Sequence, residues 1–405
     1  MTSYRPRAIP GKVILLGLVS FLTDVSSETI FAVLPIFLVD VLGGSTVLLG
    51  LMEGLADFAA SSLDLASGYL ADRTGRKKAL TLVGYGFSSV SKLILLIATT
   101  APQVAVFRVV ERLGKSVRGP PRDALLAAAA SEARRGLAFG FHKALDKAGA
   151  IVGPLIAFAI LAGQSPSLSR FRLLFTIAVV PAFAAVAVLA LGMREPRVAS
   201  AGRPPIAATL RRAGKPYRHY LVSVGLFSMG YSSFAFLLLK ANAVGFAAGD
   251  VALLYALVNG SFTITSTPIG KLGDRLGRRI LIAMSYLLYF ATMVGLAFAQ
   301  SKAWVVVLFV LYGAFYAIDE GQTKAFVSDL VPSEARATGI GIYGLVTGAL
   351  YLPASLIGGW LWKVGGPSAT FGFAAAVALI ALAYFLLALP PAVAAPAARG
   401  QPTGP

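Results

Sequence analysis

Long, almost unbroken apolar stretches recur from residue 13 to residue 390, separated by short basic or glycine- and proline-bearing connections. A helix needs about 20 mostly apolar residues to cross the hydrocarbon core of a bilayer. Twelve stretches reach that length: 13–39, 46–71, 79–100, 102–127, 136–162, 171–193, 219–240, 249–271, 280–300, 303–330, 337–363 and 368–390. They are apolar on all faces, whereas barrel strands would run about 10 residues with alternating polarity. The predicted fold class is therefore all-α, a membrane protein with twelve transmembrane helices.

Charge adds an orientation. Only 13% of residues are charged, but 36 Lys and Arg against 18 Asp and Glu give a net charge of +18. With the first end inside, 26 of the 36 basic residues fall on alternate connections and their flanks, and five (Arg170, Arg172, Lys240, Lys302, Lys363) on the opposite ones. That bias places the basic connections and both ends on the cytoplasmic side of a bacterial-type inner membrane. It also accounts for the basicity without nucleic acid, because no soluble module gathers the charge. MTSYRPRAIPGK is short, basic and without a small-residue cleavage site, so it reads as a retained inner tail. With no cysteine and only His142 and His219, disulfides, thiolate nucleophiles and multi-histidine metal centres are excluded. Without a soluble catalytic domain the chain is not expected to be an enzyme or to carry a cofactor.

The chain repeats itself. GYLADRTGRK at 68–77 returns as GKLGDRLGRR at 270–279, and SEAR at 131–134 returns at 333–336, both 202 residues on. This predicts two pseudo-symmetric six-helix bundles, 1–193 and 219–390, joined by a cytoplasmic loop at 194–218 and followed by a disordered tail at 391–405. Parallel repeats of this kind place substrate and ion sites near the midplane, where the halves meet.

Those motifs resemble the major facilitator superfamily over essentially the whole chain. Gly68, Leu70, Ala71, Asp72, Arg73, Gly75, Arg76 and Lys77 match that family's loop motif between helices 2 and 3. Gly270, Asp274, Arg275, Gly277, Arg278 and Arg279 form the second copy, with Gly273 where the first has Ala71. The resemblance implies an inner-face gate, in which the glycines allow close approach and the aspartate accepts hydrogen bonds from a helix N-terminus or the loop arginines. Arg108 and Gly114 resemble the family's R-x-x-Q-G-x-G motif, but Glu111 replaces the glutamine and Arg112 the first glycine. Gly140, Gly149, Gly153 and Pro154 resemble its antiporter signature, with Ala157 and Phe158 replacing the last two glycines. That resemblance implies tight helix packing in an exporter that exchanges substrate for protons.

Nine acids lie well inside the spans: Asp24, Glu28, Glu53, Asp57, Asp64, Glu111, Asp146, Asp319 and Glu320. Each costs at least ~2.5–3.5 kcal/mol in a membrane. Asp24 and Glu28 share a face of helix 1, and Glu53, Asp57 and Asp64 form a stripe on helix 2. Arg108, Arg112, Lys115 and Arg122 form a stripe on helix 4, and His142 and Asp146 share a face of helix 5 with Lys143 and Lys147 beside them. An acidic side built from helices 1 and 2 thus faces a basic side built from helices 4 and 5. The expected coupling pair is Asp24 or Glu28 with Arg108 or Arg112, because a carboxylate beside an arginine can alternate between a proton and an ion pair. His142 is a candidate relay. Asp64, Lys115, Arg118 and Arg122, near the inner surface, are expected to pin helices.

In the second half, Asp319, Glu320, Gln322 and Lys324 lie together, helix 8 is rich in Ser, Thr and Asn, and Phe227, Tyr231 and Phe234 have helical spacing. These aromatics either wall an organic substrate or face lipid and neighbours. The function expected is proton-coupled export of a small organic or drug-like compound by a monomeric carrier. The alternative is a cation-coupled symporter or a divalent-metal or other inorganic-ion transporter of the same fold, with the carboxylates as hard oxygen ligands for a metal.

Overall fold

The computed structural model describes residues 9–131, 134–194, 214–332 and 336–389, apart from the side chains of Leu65, Asp72, Asp274 and Ala337. Most of the expected central loop (195–213) and the whole expected tail (391–405) lie outside the described residues. All regular structure within them is helical. The first half contains α1 (Gly11–Phe31), α2 (Thr46–Thr74), α3 (Lys77–Ser91, continued by Leu93–Ile97), α4 (Ala101–Ala129), α5 (Arg135–Leu161) and α6 (Leu168–Gly192). The second begins with α7a (Lys215–Met229) and α7b (Phe234–Ala243), followed by α8 (Ala248–Leu276), α9 (Arg278–Phe298) and α10 (Lys302–Leu330). The last helical run, Arg336–Ala388, turns at Gly366 (φ 71°) into α11 (336–365) and α12 (367–388).

Local chemistry sets the ends. Ser45 caps α2 by accepting from the Leu48 N–H at 3.1 Å. Thr100 and Gln103 form a reciprocal capping box at α4. Gly75, at φ 67°, ends α2 in the left-handed region. Among the described residues, nine helical stretches are long and apolar enough to cross a membrane, with most of α11 and all of α12 running as one. α4 and α8, each 29 residues, are not among them. Both have the expected length, but α4 carries six charges between Arg108 and Arg122, and α8 carries the Asn/Ser/Thr run from Asn259 to Thr267.

Two expected spans are interrupted. After α1 the chain turns at Ala32–Val33 and resumes as Leu34–Ile36 and a π-helical turn, Phe37–Val41. Between α7a and α7b, residues 230–233 leave the helix. There the Tyr289 hydroxyl accepts from the Ser232 N–H at 2.7 Å and donates to the Gly230 carbonyl at 3.0 Å. One side chain replaces backbone bonds that the break removes, as buried amides require. Interruptions at corresponding points of two halves mark the region where a site is built.

α5 lies against α1 through glycine. A Cβ at Gly149 would come 2.6 Å from the Phe21 carbonyl oxygen, and one at Gly153 2.7 Å from that of Val25. Thr29 donates to the Gly153 carbonyl at 2.9 Å. Gly140, at the other end of α5, would meet nothing within 4 Å. The halves touch chiefly through α2 on α11 and α5 on α8. They come close toward one end of that contact: Thr46 donates to Gly359 O at 3.0 Å, and a Cβ at Gly50 would lie 2.1 Å from Ser355 O. Toward the end bearing the 74–77 and 276–278 turns, a Cβ at Gly270 of α8 would meet open space.

Candidate functional site

α2 and α4 pack side by side, and each carries an i, i+4 pair of charges, so the two pairs meet as rungs. Arg108 holds Glu53 with two parallel bonds, Nε to Oε1 at 2.8 Å and Nη2 to Oε2 at 2.9 Å. Both side chains are only 9% exposed. Planar two-point recognition of this kind is what a guanidinium does best. One turn on, Arg112 Nη2 holds Asp57 Oδ1 at 2.7 Å. The Arg108 guanidinium also lies 4.1 Å from the Phe31 ring centroid. Its Nη1 is 3.6 Å from Glu111 Oε2, and Ser88 donates to Glu111 Oε1 at 3.4 Å. Across the halves, Ser233, in the helix-7 break, donates to Glu53 Oε2 at 3.3 Å.

The expected pairing of Asp24 or Glu28 with Arg108 or Arg112 is therefore corrected. The glycine contact with α5 turns the acids of α1 toward α5 and α8, and α4 is left to α2. Glu28 accepts a short bond from the Tyr255 hydroxyl of α8. Asp24 sits at the α1–α5 contact, where a Cβ on Gly149 would come 3.0 Å from its own Cβ. Asp146 accepts from Ser20 at 2.6 Å and lies 3.7 Å from Lys143 Nζ. Lys143 reaches Glu320 of α10 at 3.2 Å, a second contact between the halves. Asp319 accepts from Thr323 at 3.3 Å, within α10. His142 is buried, and its Nε2 has no hydrogen-bond partner among the described residues. Arg118 stacks at 4.3 Å on Tyr85, and Arg122 pairs with its neighbour Asp123 at 3.0 Å.

The loop motifs sit at the ends of α2 and α8. Gly75 donates to the Ala71 carbonyl at 3.0 Å, and Gly277 has φ 86°. Gly68 is buried, while Arg73, Arg76 and Arg275 are exposed. Arg278 reaches Asp329 at 2.5 Å and the Ala325 carbonyl at 2.8 Å, tying α9 to α10. The side chains of Asp72 and Asp274 lie outside the described residues.

A cavity of about 60 Å³ opens where the two interrupted helices face each other, lined among others by Phe31, Glu53, Arg108, Phe234 and Tyr255. Phe234 faces this cavity and lies 5.0 Å from Tyr255. Phe227 and Tyr231 go elsewhere. Phe227 stacks on Tyr286 at 4.2 Å, and Tyr231 stacks on Tyr351 at 4.8 Å and bonds the Tyr312 hydroxyl at 3.1 Å. No three His, Asp or Glu side chains that could hold a metal ion gather among the described residues.

Sequence reasoning passed over four residues. Lys92 is fully buried on α3, donating to Ser26 at 2.7 Å and Ser27 at 3.0 Å. Its position in the middle of a span was a readable signal. Ser233, Tyr255 and Tyr289 act through partners on other helices, and nothing local distinguishes them.

Comparison with known proteins agrees with this architecture. The family model of the Major Facilitator Superfamily matches residues 16–238 and 220–404. An uncharacterized MFS-type transporter of Methanocaldococcus jannaschii is 32% identical over 380 residues, covering 92% of this chain and 94% of its own. The multidrug resistance protein MdtH of Sodalis glossinidius is 26% identical over 350 residues, 83% of this chain and 82% of its own. Among solved structures, the nucleoside transporter NupG superposes with a TM-score of 0.76 at 13% identity, covering 93% of this chain and 99% of that one. A bacterial homologue of the human lysosomal transporter Spinster, inward-facing and occupied, gives 0.72 at 16% identity, with 93% and 96% covered.

Proposed function

Because the chain belongs to the Major Facilitator Superfamily, we propose that it is a secondary active carrier that works by alternating access and exports a small organic compound in exchange for protons. Its working unit is a single chain in a bacterial-type cytoplasmic membrane, with the basic turns at 74–77 and 276–278 on the cytoplasmic side. The close approach of the halves at Thr46–Gly359 supports a state whose cavity is sealed toward the outside. The name of the MdtH relatives supports an organic, drug-like substrate.

One observation carries the coupling. Glu53, on the cavity wall, is gripped by Arg108 of its own half and touched by Ser233 of the other. A carboxylate that gains a proton loses its hold on a guanidinium, so a proton and the ion pair are alternatives at this group. Protonation frees Arg108 toward the cavity and loosens α7b from α2. Release of the proton re-forms the grip, and the two states follow the two access states of the carrier.

The test uses the purified chain in proteoliposomes, with ethidium as the transported probe and an imposed pH gradient. Unmodified protein accumulates ethidium until nigericin collapses the gradient. Glu53→Gln exchanges ethidium across the membrane without concentrating it, and Arg108→Ala does neither. Gradient-driven accumulation by Glu53→Gln at the unmodified rate refutes the coupling assignment.

A further inference from the structure

Lys147 stands apart from the other charges of the half interface. It projects from α5 onto the second half, with Nζ 3.7 Å from the Phe262 ring centroid of α8 and 5.8 Å from that of Tyr316 of α10. Those rings lie 5.2 Å apart at 44°, the two walls of a corner. Among the described residues no carboxylate lies within 4 Å of Lys147, whereas Lys143, one turn away, sits between Asp146 and Glu320. A lysine at the half interface has therefore chosen π faces over a carboxylate. Acids flank the corner without entering it. Glu320 is one turn beyond Tyr316 on α10, and Tyr255, which holds Glu28, lies two turns before Phe262 on the same face of α8. Two ring faces with negative groups at the rim recognise an ammonium, since ring quadrupoles attract a desolvated cation.

We propose that the Phe262–Tyr316 corner is a binding site for the ammonium group of an organic cation, and that Lys147 is a tethered occupant which that group displaces. The proposal rests on the carrier reading and deepens it by naming the substrate class. Displacement carries a consequence for the cycle. While Lys147 fills the corner it links α5 to α8 and α10, and an incoming ammonium severs that link, so loading of the site and release of the halves are one event. An empty carrier then keeps its own cation in the corner rather than an unfilled cage.

The experiment is equilibrium binding of benzyltrimethylammonium to the detergent-purified chain by calorimetry, which needs neither a membrane nor a gradient. Failure here therefore leaves the proton-coupling assignment to be judged by flux. Lys147→Met, which keeps the stem and removes the charge, is expected to bind the probe about tenfold more tightly, within the range of a desolvated cation–π contact. Lys147→Arg, which refills the corner with a cation, binds as weakly as the unmodified chain. Adding Phe262→Leu to Lys147→Met abolishes the gain, and uncharged benzyl alcohol gains nothing from Lys147→Met. Heating curves from size exclusion establish that each variant is folded. Unchanged affinity in Lys147→Met, a gain that survives Phe262→Leu, or an equal gain for benzyl alcohol overturns the proposal.

Discussion

The buried cluster around Arg108 makes an asymmetric prediction. Arg108 serves two carboxylates, Glu53 at 2.8 Å and Glu111 at 3.6 Å, whereas among the described residues Glu53 has Arg108 alone as a cationic partner. Arg108→Gln leaves both acids buried, Glu111 wholly so. Removing one partner of a buried ion pair costs about 3–5 kcal/mol, because the other charge is left uncompensated. Glu53→Gln is milder. Arg108 keeps Glu111 and the Phe31 ring, the new amide can still accept one of its hydrogen bonds, and the loss is that of a charge-assisted bond, about 1.5–3 kcal/mol. Size exclusion after graded heating in detergent reads the difference as a midpoint lower for Arg108→Gln than for Glu53→Gln by about 1–4 °C. The double variant Glu53→Gln with Arg108→Gln recovers part of the loss, since the two sites share one interaction and their effects do not add. The functional arm separates from the structural one, because the double variant regains stability without regaining gradient-driven ethidium accumulation. If Glu53→Gln proves as damaging as Arg108→Gln, Glu111 does not share the arginine and the reasoning fails.

Three further outcomes follow from the packing. Gly153→Ala sets a Cβ 2.7 Å from the Val25 carbonyl oxygen, where rigid backbone must shift, and loses about 1–3 kcal/mol, whereas Gly140→Ala enters open space and holds or raises the thermal midpoint. Tyr289→Phe strips both bonds from the helix-7 break, the one to the Ser232 N–H and the one to the Gly230 carbonyl, and costs about 1–3 kcal/mol. Ethidium counterflow in that variant slows while the fold survives, because Ser233 loses its fixed position opposite Glu53. Lys92→Met preserves the heating midpoint or raises it, since an apolar side chain of similar length replaces a fully buried ammonium. Ser26→Ala with Ser27→Ala lowers it, because the buried lysine amine then loses both acceptors.

What the chain disclosed in its letters, and what it withheld, divides along a physical line. Span positions are a property of composition within one segment, so the expected 46–71 and 303–330 return as Thr46–Thr74 and Lys302–Leu330. The helix-7 break was hidden because Gly230 to Ser233 lie within a run whose mean apolarity stays high. A break there is affordable only once Tyr289, 57 residues away, supplies the missing bonds. Pairing obeys a different rule. Spacing of i, i+4 establishes that Asp24 with Glu28, and Glu53 with Asp57, each share a face, but both acidic pairs are equally suited to the arginines at 108 and 112. The choice between them is steric. Gly149 and Gly153, also four apart, let α5 press onto α1 until the backbones touch, and α1 cannot then offer the same face to α4. α2 carries its small residues toward α11 instead, at Gly50 and Gly54, so its acids remain free to meet α4. The glycines, read as partners rather than as gaps, thus decide which carboxylates neutralise which arginines. A glycine pair at helical spacing says which neighbour a charged helix has already accepted, and hence which one its charges must do without.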